Sequence, residues 1–222
     1  MGFGTIFFNP DVIAQYLPAI LGALWVTVWL SVVITATGLV LGAALAALRT
    51  TGLRVLAWPV ILFADLLRAL PPLVLILILY FGLPSLGLTL PALAVLWIVL
   101  SLVLAAFAEE IFWAGITALP RGQWEAGAAT GLGRPAVLAH IIFPQALRMG
   151  IPSLVNRALT ISKTTALGSV IGVKEVVSVA GSAQSTSGSA TPLTMAALAY
   201  LVILVPAMIA SRRIERRFAY QP

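Results

Sequence analysis

The sequence predicts an all-α integral membrane protein with five transmembrane helices, its N-terminus outside and its C-terminus in the cytoplasm. Three observations predict it. Hydrophobic residues make up 61% of the chain and charged residues 9%, where a soluble domain carries roughly 45–50% and about 25%. With a mean hydropathy of +1.08, the chain has too few polar side chains to cover a globule, so its solvent is largely the lipid bilayer. Three long windows, 12–48, 69–108 and 176–211, hold no charged residue and no histidine. Finally, the basic residues fall almost entirely on one side of a five-span topology.

The same composition excludes several functions. Cysteine is absent and His140 is the single histidine, which rules out disulfide scaffolds, thiolate zinc sites, cysteine nucleophiles and multi-histidine metal sites. The net charge of +6 does not point to nucleic acid, because the basic residues form no patch on a soluble fold. Nor is a cleavable signal expected: Met1–Pro10 has no basic region, and Ile6-Phe7-Phe8 is too short an apolar run.

Residues 1–18 form an N-terminal segment in which Asn9-Pro10-Asp11 starts a short helix lying along the membrane surface. A single transmembrane domain then covers 19–217. Its first span, about 19–48, stops before Arg49. The second window would be about 60 Å long as one helix, twice the hydrocarbon thickness, and so must break. Gly82-Leu-Pro-Ser-Leu-Gly87 supplies the turn between spans at about 57–82 and 90–112, with Pro91 suited to a first helical turn. Pro71-Pro72 should kink the earlier helix or confine its regular part to the residues that follow. After a loop over 113–137 comes a fourth span at about 138–173, which carries Arg148, Arg157 and Lys163 among prolines and glycines. A small-polar loop follows, most of it Ser, Gly, Thr and Ala from Ala180 to Pro192. The last span is about 193–211, and 218–222 is a tail.

Charge placement justifies the fourth span. With five crossings, Arg49, Arg54, Arg121, Arg134, Arg148 and the arginines at 212, 213, 216 and 217 share one side, against Lys174 on the other. That is the positive-inside pattern. Without the fourth crossing the tail's arginines would lie outside.

The 113–137 loop is not an ordinary linker. Glu125 to Thr130 is expected to form a short helix with its acid in the first turn, where the dipole favours it, and with Gly131 as its C-cap. Ala126, Gly127, Ala128 and Ala129 give it almost no side-chain bulk. The spacing Glu125-Ala126, Gly131 and Pro144 resembles the EAA loop of binding-protein-dependent ABC importer permeases. Leu119-Pro-Arg-Gly-Gln-Trp-Glu-Ala126, Phe143-Pro-Gln-Ala-Leu-Arg148, Ser169-Val-Ile-Gly-Val173, Leu79-Tyr-Phe-Gly-Leu-Pro84 and Glu110-Ile-Phe112 resemble the subfamily that serves histidine, arginine, glutamine and glutamate. The likeness runs from about Gly22 to Phe218.

That resemblance implies a type I importer-like permease in the bacterial inner membrane, working as a homo- or heterodimer with a second copy or paralogue. Two cytoplasmic ABC ATPases would bind the ATP and Mg²⁺, and an extracytoplasmic binding protein would deliver a polar amino acid. Glu125, Ala126, Gly127, Ala129 and Gly131 would then form a coupling helix that docks on the ATPase. Gly127 stands where a second alanine is commonest. Glycine costs about 1 kcal/mol relative to alanine inside a helix, so this helix is expected to need its partner to be well formed. The chain itself has no catalytic residue and no cofactor, since the pattern GxxxxGK[ST] is absent.

Ionisable groups at membrane depth are functional candidates by default. Asp65 and Arg68, three apart on one helical face, are expected to form a structural ion pair. Glu109 and Glu110 read as boundary acids solvated by water. Lys163, with Ser162, Thr164 and Thr165, places a cation and hydroxyl donors in the outer half of the fourth span, a set suited to an α-carboxylate. Lys163 snorkelling to the interface is an equal alternative. Asn156 and Arg157, about two turns earlier, either line the same path or bond to a neighbouring helix. The family frequently carries an acid or amide where this chain has Thr164, which counts against arginine and lysine as cargo. His140 reads as an ordinary interfacial histidine, and the 181–191 loop as an outer face that meets a binding protein. Two rival readings remain, a secondary transporter driven through Glu109, Glu110 or Asp65, and a membrane scaffold whose loop recruits a partner. No internal repeat supports the first, and the second leaves Lys163 without a purpose.

Overall fold

The computed structural model describes residues 2–218; Met1 and the expected tail past Phe218 lie outside the described residues. Among the described residues every regular element is helical. Four helical stretches are long and apolar enough to cross a membrane, Pro10–Arg49, Ala92–Ala118, Arg134–Ile171 and Thr191–Phe218, and a bent pair makes a fifth. The chain divides into two compact units. One comprises the residues up to Ile34, Pro72–Leu100 and Leu159–Ile209; the other comprises Thr35–Pro71, Ser101–Ala158 and the residues from Ala210 on. They are called here the first and second units.

A short helix α1 (Phe3–Phe7) precedes α2 (Pro10–Arg49). The start of α2 is chemical: the Asn9 side chain accepts from the Asp11 and Val12 amides at 3.0 and 3.4 Å, and Asp11 lies in the first turn. The helix expected to start at Asn9 as a separate surface segment instead runs straight on into the first span as the opening turns of α2. The helix runs through Pro18 without a break, because one lost hydrogen bond is outweighed by strong helix formers on both sides. It ends where Thr50 and Thr51 donate their hydroxyls to the Ala47 and Leu48 carbonyls at 2.6 and 2.8 Å.

The second crossing is a broken helix. It is interrupted at its two prolines, into α3 (Arg54–Ala69) and α4 (Pro72–Gly82). Leu70, directly before Pro71, is extended at ψ 138°, since a following proline disfavours the α region. After α4, Leu83–Leu86 forms a single 3₁₀ turn, and Gly87 closes it at φ +79°. That value suits glycine.

α5 (Ala92–Ala118) is the most enclosed of the candidate spans. In the second unit α2 lies directly against it. A side-chain carbon at Gly42 would stand 2.6 Å from Ala108 Cβ, 2.9 Å from the Ala105 carbonyl oxygen and 3.0 Å from the Glu109 amide. Two of those atoms are backbone and cannot rotate away. Gly42→Val is therefore expected to cost about 1–3 kcal/mol, read as a lower melting temperature in detergent. An unchanged melting temperature would show that the close approach contributes nothing. One turn up, Thr37 and Ser101 satisfy each other at 2.7 Å.

The loop helix is α6 (Arg121–Ala129). The fourth crossing is irregular at both ends. It begins as α7 (Arg134–Val137), widens into a π-turn over Leu138–Ile142 closed by the Phe143 amide on the Leu138 carbonyl, and continues as α8 (Phe143–Thr164). The wide turn falls just ahead of Pro144, whose missing N–H is the one that would have bonded His140. A tightened 3₁₀ segment over Thr165–Ile171 completes the crossing.

The small-polar stretch is mostly not a loop. α9 (Val176–Ser187) takes up residues 181–187 of the expected loop. Two features hold it. Glu175, fully buried, caps its N-terminus by accepting from Val177 and Ser178 at 2.8 and 2.7 Å. The hydroxyls of Ser182, Ser185, Thr186 and Ser187 each donate to the carbonyl four residues back, so they do not compete with the helix. α10 (Thr191–Phe218) follows, and its Tyr200 hydroxyl donates to Glu175 at 3.2 Å. Burial raises the Glu175 carboxyl above its ordinary pKa, with the Val177 and Ser178 amides and the Tyr200 hydroxyl opposing.

Candidate functional site

α6 begins four residues earlier than expected. Pro120, at φ −57°, sets its start, and the Gln123 amide bonds the Pro120 carbonyl at 3.0 Å. Glu125 is therefore mid-helix and not in the first turn. Gly131 does close the segment, at φ +83°, with its amide on the Ala128 carbonyl at 3.0 Å.

The decisive residue in α6 is Gly127. It is buried, and a side-chain carbon there would come within 2.8–2.9 Å of Val137 and Ile141. A bare backbone lets α6 seat on the start of the fourth crossing. Trp124 adds to that seat by packing on the cluster of Ala46, Phe112, Val137 and Ile142, and Gln145 reaches Gln123 at 3.2 Å. In the single chain α6 is a full helix over Arg121–Ala129, and the close packing of Gly127 on Val137 and Ile141 offsets part of its low helix propensity. Glu125, Ala126, Ala128 and Ala129 are all exposed. What faces outward is a flat strip headed by one carboxylate, with a cleft of about 440 Å³ between Arg121, Glu125 and Arg134 beside it.

Also in the second unit, five charged side chains form one cluster. Arg68 bonds Asp65 at 2.6 Å and approaches Glu110 at 3.3 Å. Arg49 pairs with Glu109 at 3.0 Å and Glu110 at 3.4 Å, and its guanidinium lies 4.3 Å over the Trp113 ring. Glu109 is fully buried, so the expectation of a water-solvated acid is wrong for it; Arg49 takes the place of water. Arg49 was visible only as a topology marker in the sequence. The signal that finds its role is that five-span topology puts the end of the first crossing on the same side as the end of the third.

At the far end of α8, Ser162, Lys163, Thr164 and Thr165 follow one another. Lys163 is exposed and Thr165 buried. Thr164 donates to the Thr160 and Ile161 carbonyls at 2.9 and 3.0 Å, and Thr165 to the Ser162 carbonyl at 2.9 Å. These two hydroxyls thus spend their protons on the helix; Thr164 keeps a lone pair to offer, whereas Thr165 is buried against Tyr200. The expected set of donors is reduced, at these positions, to the Lys163 ammonium. Asn156 and Arg157, two turns earlier, are exposed, and Arg157 lies 4.0 Å over the Phe107 ring of α5. His140 holds its Nδ1 2.9 Å from the Ala136 carbonyl, a local contact. Among the described residues no group of three or more acids or histidines is placed to hold a metal.

Known proteins resemble this chain over most of its length. The family described as "Binding-protein-dependent transport system inner membrane component" matches residues 38–220. The chain is 33% identical over 215 residues to the arginine ABC transporter permease protein ArtQ of Haemophilus influenzae, covering 92% of this chain and 96% of that one. It is 30% identical over 217 residues to the probable amino-acid ABC transporter permease protein YckA of Bacillus subtilis, covering 96% and 95%. A crystal structure of an amino acid ABC transporter with histidines superposes with a TM-score of 0.83 at 27% identity, covering 92% of this chain and 96% of that chain.

Proposed function

Because this chain belongs to the family of binding-protein-dependent transport system inner membrane components, we propose that it is the permease through which an ATP-driven importer takes up polar amino acids by alternating access. It is a multi-pass inner-membrane permease and not itself an enzyme. ATP and Mg²⁺ belong to separate ATPase subunits, cargo arrives on an extracytoplasmic binding protein, and a second copy or paralogue completes the path.

One observation carries the coupling assignment: α6 buries only its glycine side against Val137 and Ile141 and turns Glu125 and three alanines outward. An ATPase gripping that strip moves a rigid body seated on the first turns of the fourth crossing. The same crossing carries Lys163 at its other end. Motor contact and cargo contact thus share one element.

For the cargo, the Lys163 ammonium holds the α-carboxylate, and the outward lone pair of Thr164 accepts from the α-ammonium. α8 carries Lys163, Arg157 and Arg148 and no acid, which disfavours a cationic side chain. The assay is ATP-dependent uptake of radiolabelled amino acids by the reconstituted complex. Lys163→Met is expected to slow uptake of the cognate amino acid about 10-fold or more, the worth of one charged hydrogen bond, while leaving assembly with the ATPase intact. Full uptake by that variant would return Lys163 to the interface as a snorkelling residue. Arginine uptake as fast as glutamine or histidine uptake would overturn the cargo preference and leave the importer assignment standing.

A further inference from the structure

A second cavity, about 630 Å³, lies in the second unit where α2 ends beside α6 and α7. Its walls are apolar, formed by residues such as Ala44, Leu48 and Leu138, and its polar rim includes Thr51, Trp124 and Arg134. We propose that it holds one anionic phospholipid, with an acyl chain along the wall and the phosphate on Arg134.

The argument is charge. Arg49 and Arg68 in the same unit are each matched by carboxylates within 3.4 Å. Arg134 is not: among the described residues no carboxylate comes within ion-pair distance of it. It makes a long contact of 3.5 Å to the Thr50 carbonyl and lies 5.5 Å over the Trp124 ring. A guanidinium has five donors in a fork suited to phosphate, and most of this one's remain for a ligand. The depth also fits. The cavity sits at the end of the first crossing on the arginine-rich side, where a tryptophan prefers the headgroup level and the leaflet carries negative lipids. An apolar wall beneath an uncompensated cation matches the two halves of such a lipid, whereas a soluble anion would leave the wall unfilled.

The test uses the chain purified with its ATPase in mild detergent, titrated with phosphatidylglycerol or phosphatidylcholine of identical chains, with bound lipids counted by native mass spectrometry. One phosphatidylglycerol is expected to bind about fivefold tighter than phosphatidylcholine, the worth of one basic residue at the surface. Arg134→Gln should erase that preference at unchanged melting temperature. Ala44→Phe, at an exposed position on the cavity wall, should weaken both lipids and serves as the deciding variant if Arg134→Gln does not fold. Equal affinities for the two lipids, an unaltered preference in Arg134→Gln, or loss of the bound lipid whenever the ATPase is present would each overturn the proposal; the last would assign the cavity to the ATPase.

Discussion

Glu125→Lys is expected to abolish ATPase capture and ATP-driven uptake while leaving insertion and melting temperature unchanged. Glu125 is exposed on α6 and forms no ion pair among the described residues, so the fold loses at most about 0.5 kcal/mol with its carboxylate. Docking responds differently. A rim or surface charge that meets its opposite gains attraction, and reversing it turns that into repulsion costing several kcal/mol, enough to empty a complex of ordinary affinity. Glu125→Gln separates the two effects, since it removes attraction without adding repulsion and should weaken capture only in part. The measurement is pull-down of the ATPase by tagged permease, beside uptake in vesicles. Retained pull-down and uptake in Glu125→Lys would refute the coupling assignment; a large drop in melting temperature would make Glu125 a structural residue.

The largest effect on stability is expected at Arg49. Arg49→Ala strands Glu109, whose side chain is fully buried and whose ion pair at 3.0 Å is with Arg49. Breaking a buried pair by removing one partner costs about 3–5 kcal/mol, because an uncompensated charge stays behind. In a domain of this size that lowers the melting temperature on the order of 10 °C. The double replacement Arg49→Met with Glu109→Leu removes both charges and should recover most of the loss. A double variant no more stable than Arg49→Ala would place the energy in the Arg49–Trp113 stack, found at 4.3 Å, and not in the pair.

Some of this architecture was legible because its causes are local. Asn9 starts a helix, since its side chain reaches amides two and three residues on. Pro71 ends one, since it constrains the residue before it. Gly131 closes another, since only glycine takes φ +83° freely. Where the reading failed, the local signal was ambiguous. Serine and threonine in 182–187 favour loops when their hydroxyls compete with the backbone, and support a helix when they bond four residues back. The buried Glu175 ahead of them and its bond to Tyr200, 25 residues on, decided the matter. The start of α6 was misplaced for a similar reason: Pro120, not Glu125, supplies the N-terminal geometry.

By itself, then, the amino-acid order determined the all-helical class, the apolar stretches that seek lipid, and where helices must break, because hydropathy and the chemistry of proline and glycine act within a few residues. Only the folded molecule decided which atoms meet. It paired Arg49 with a glutamate 60 residues away, pressed Gly42 and Gly127 against neighbouring helices, left Glu125 facing out, and bonded the Thr164 and Thr165 hydroxyls to their own helix. Burial and partnership are properties of three-dimensional neighbours, and the energy of a charge or a missing side chain depends on them more than on residue type.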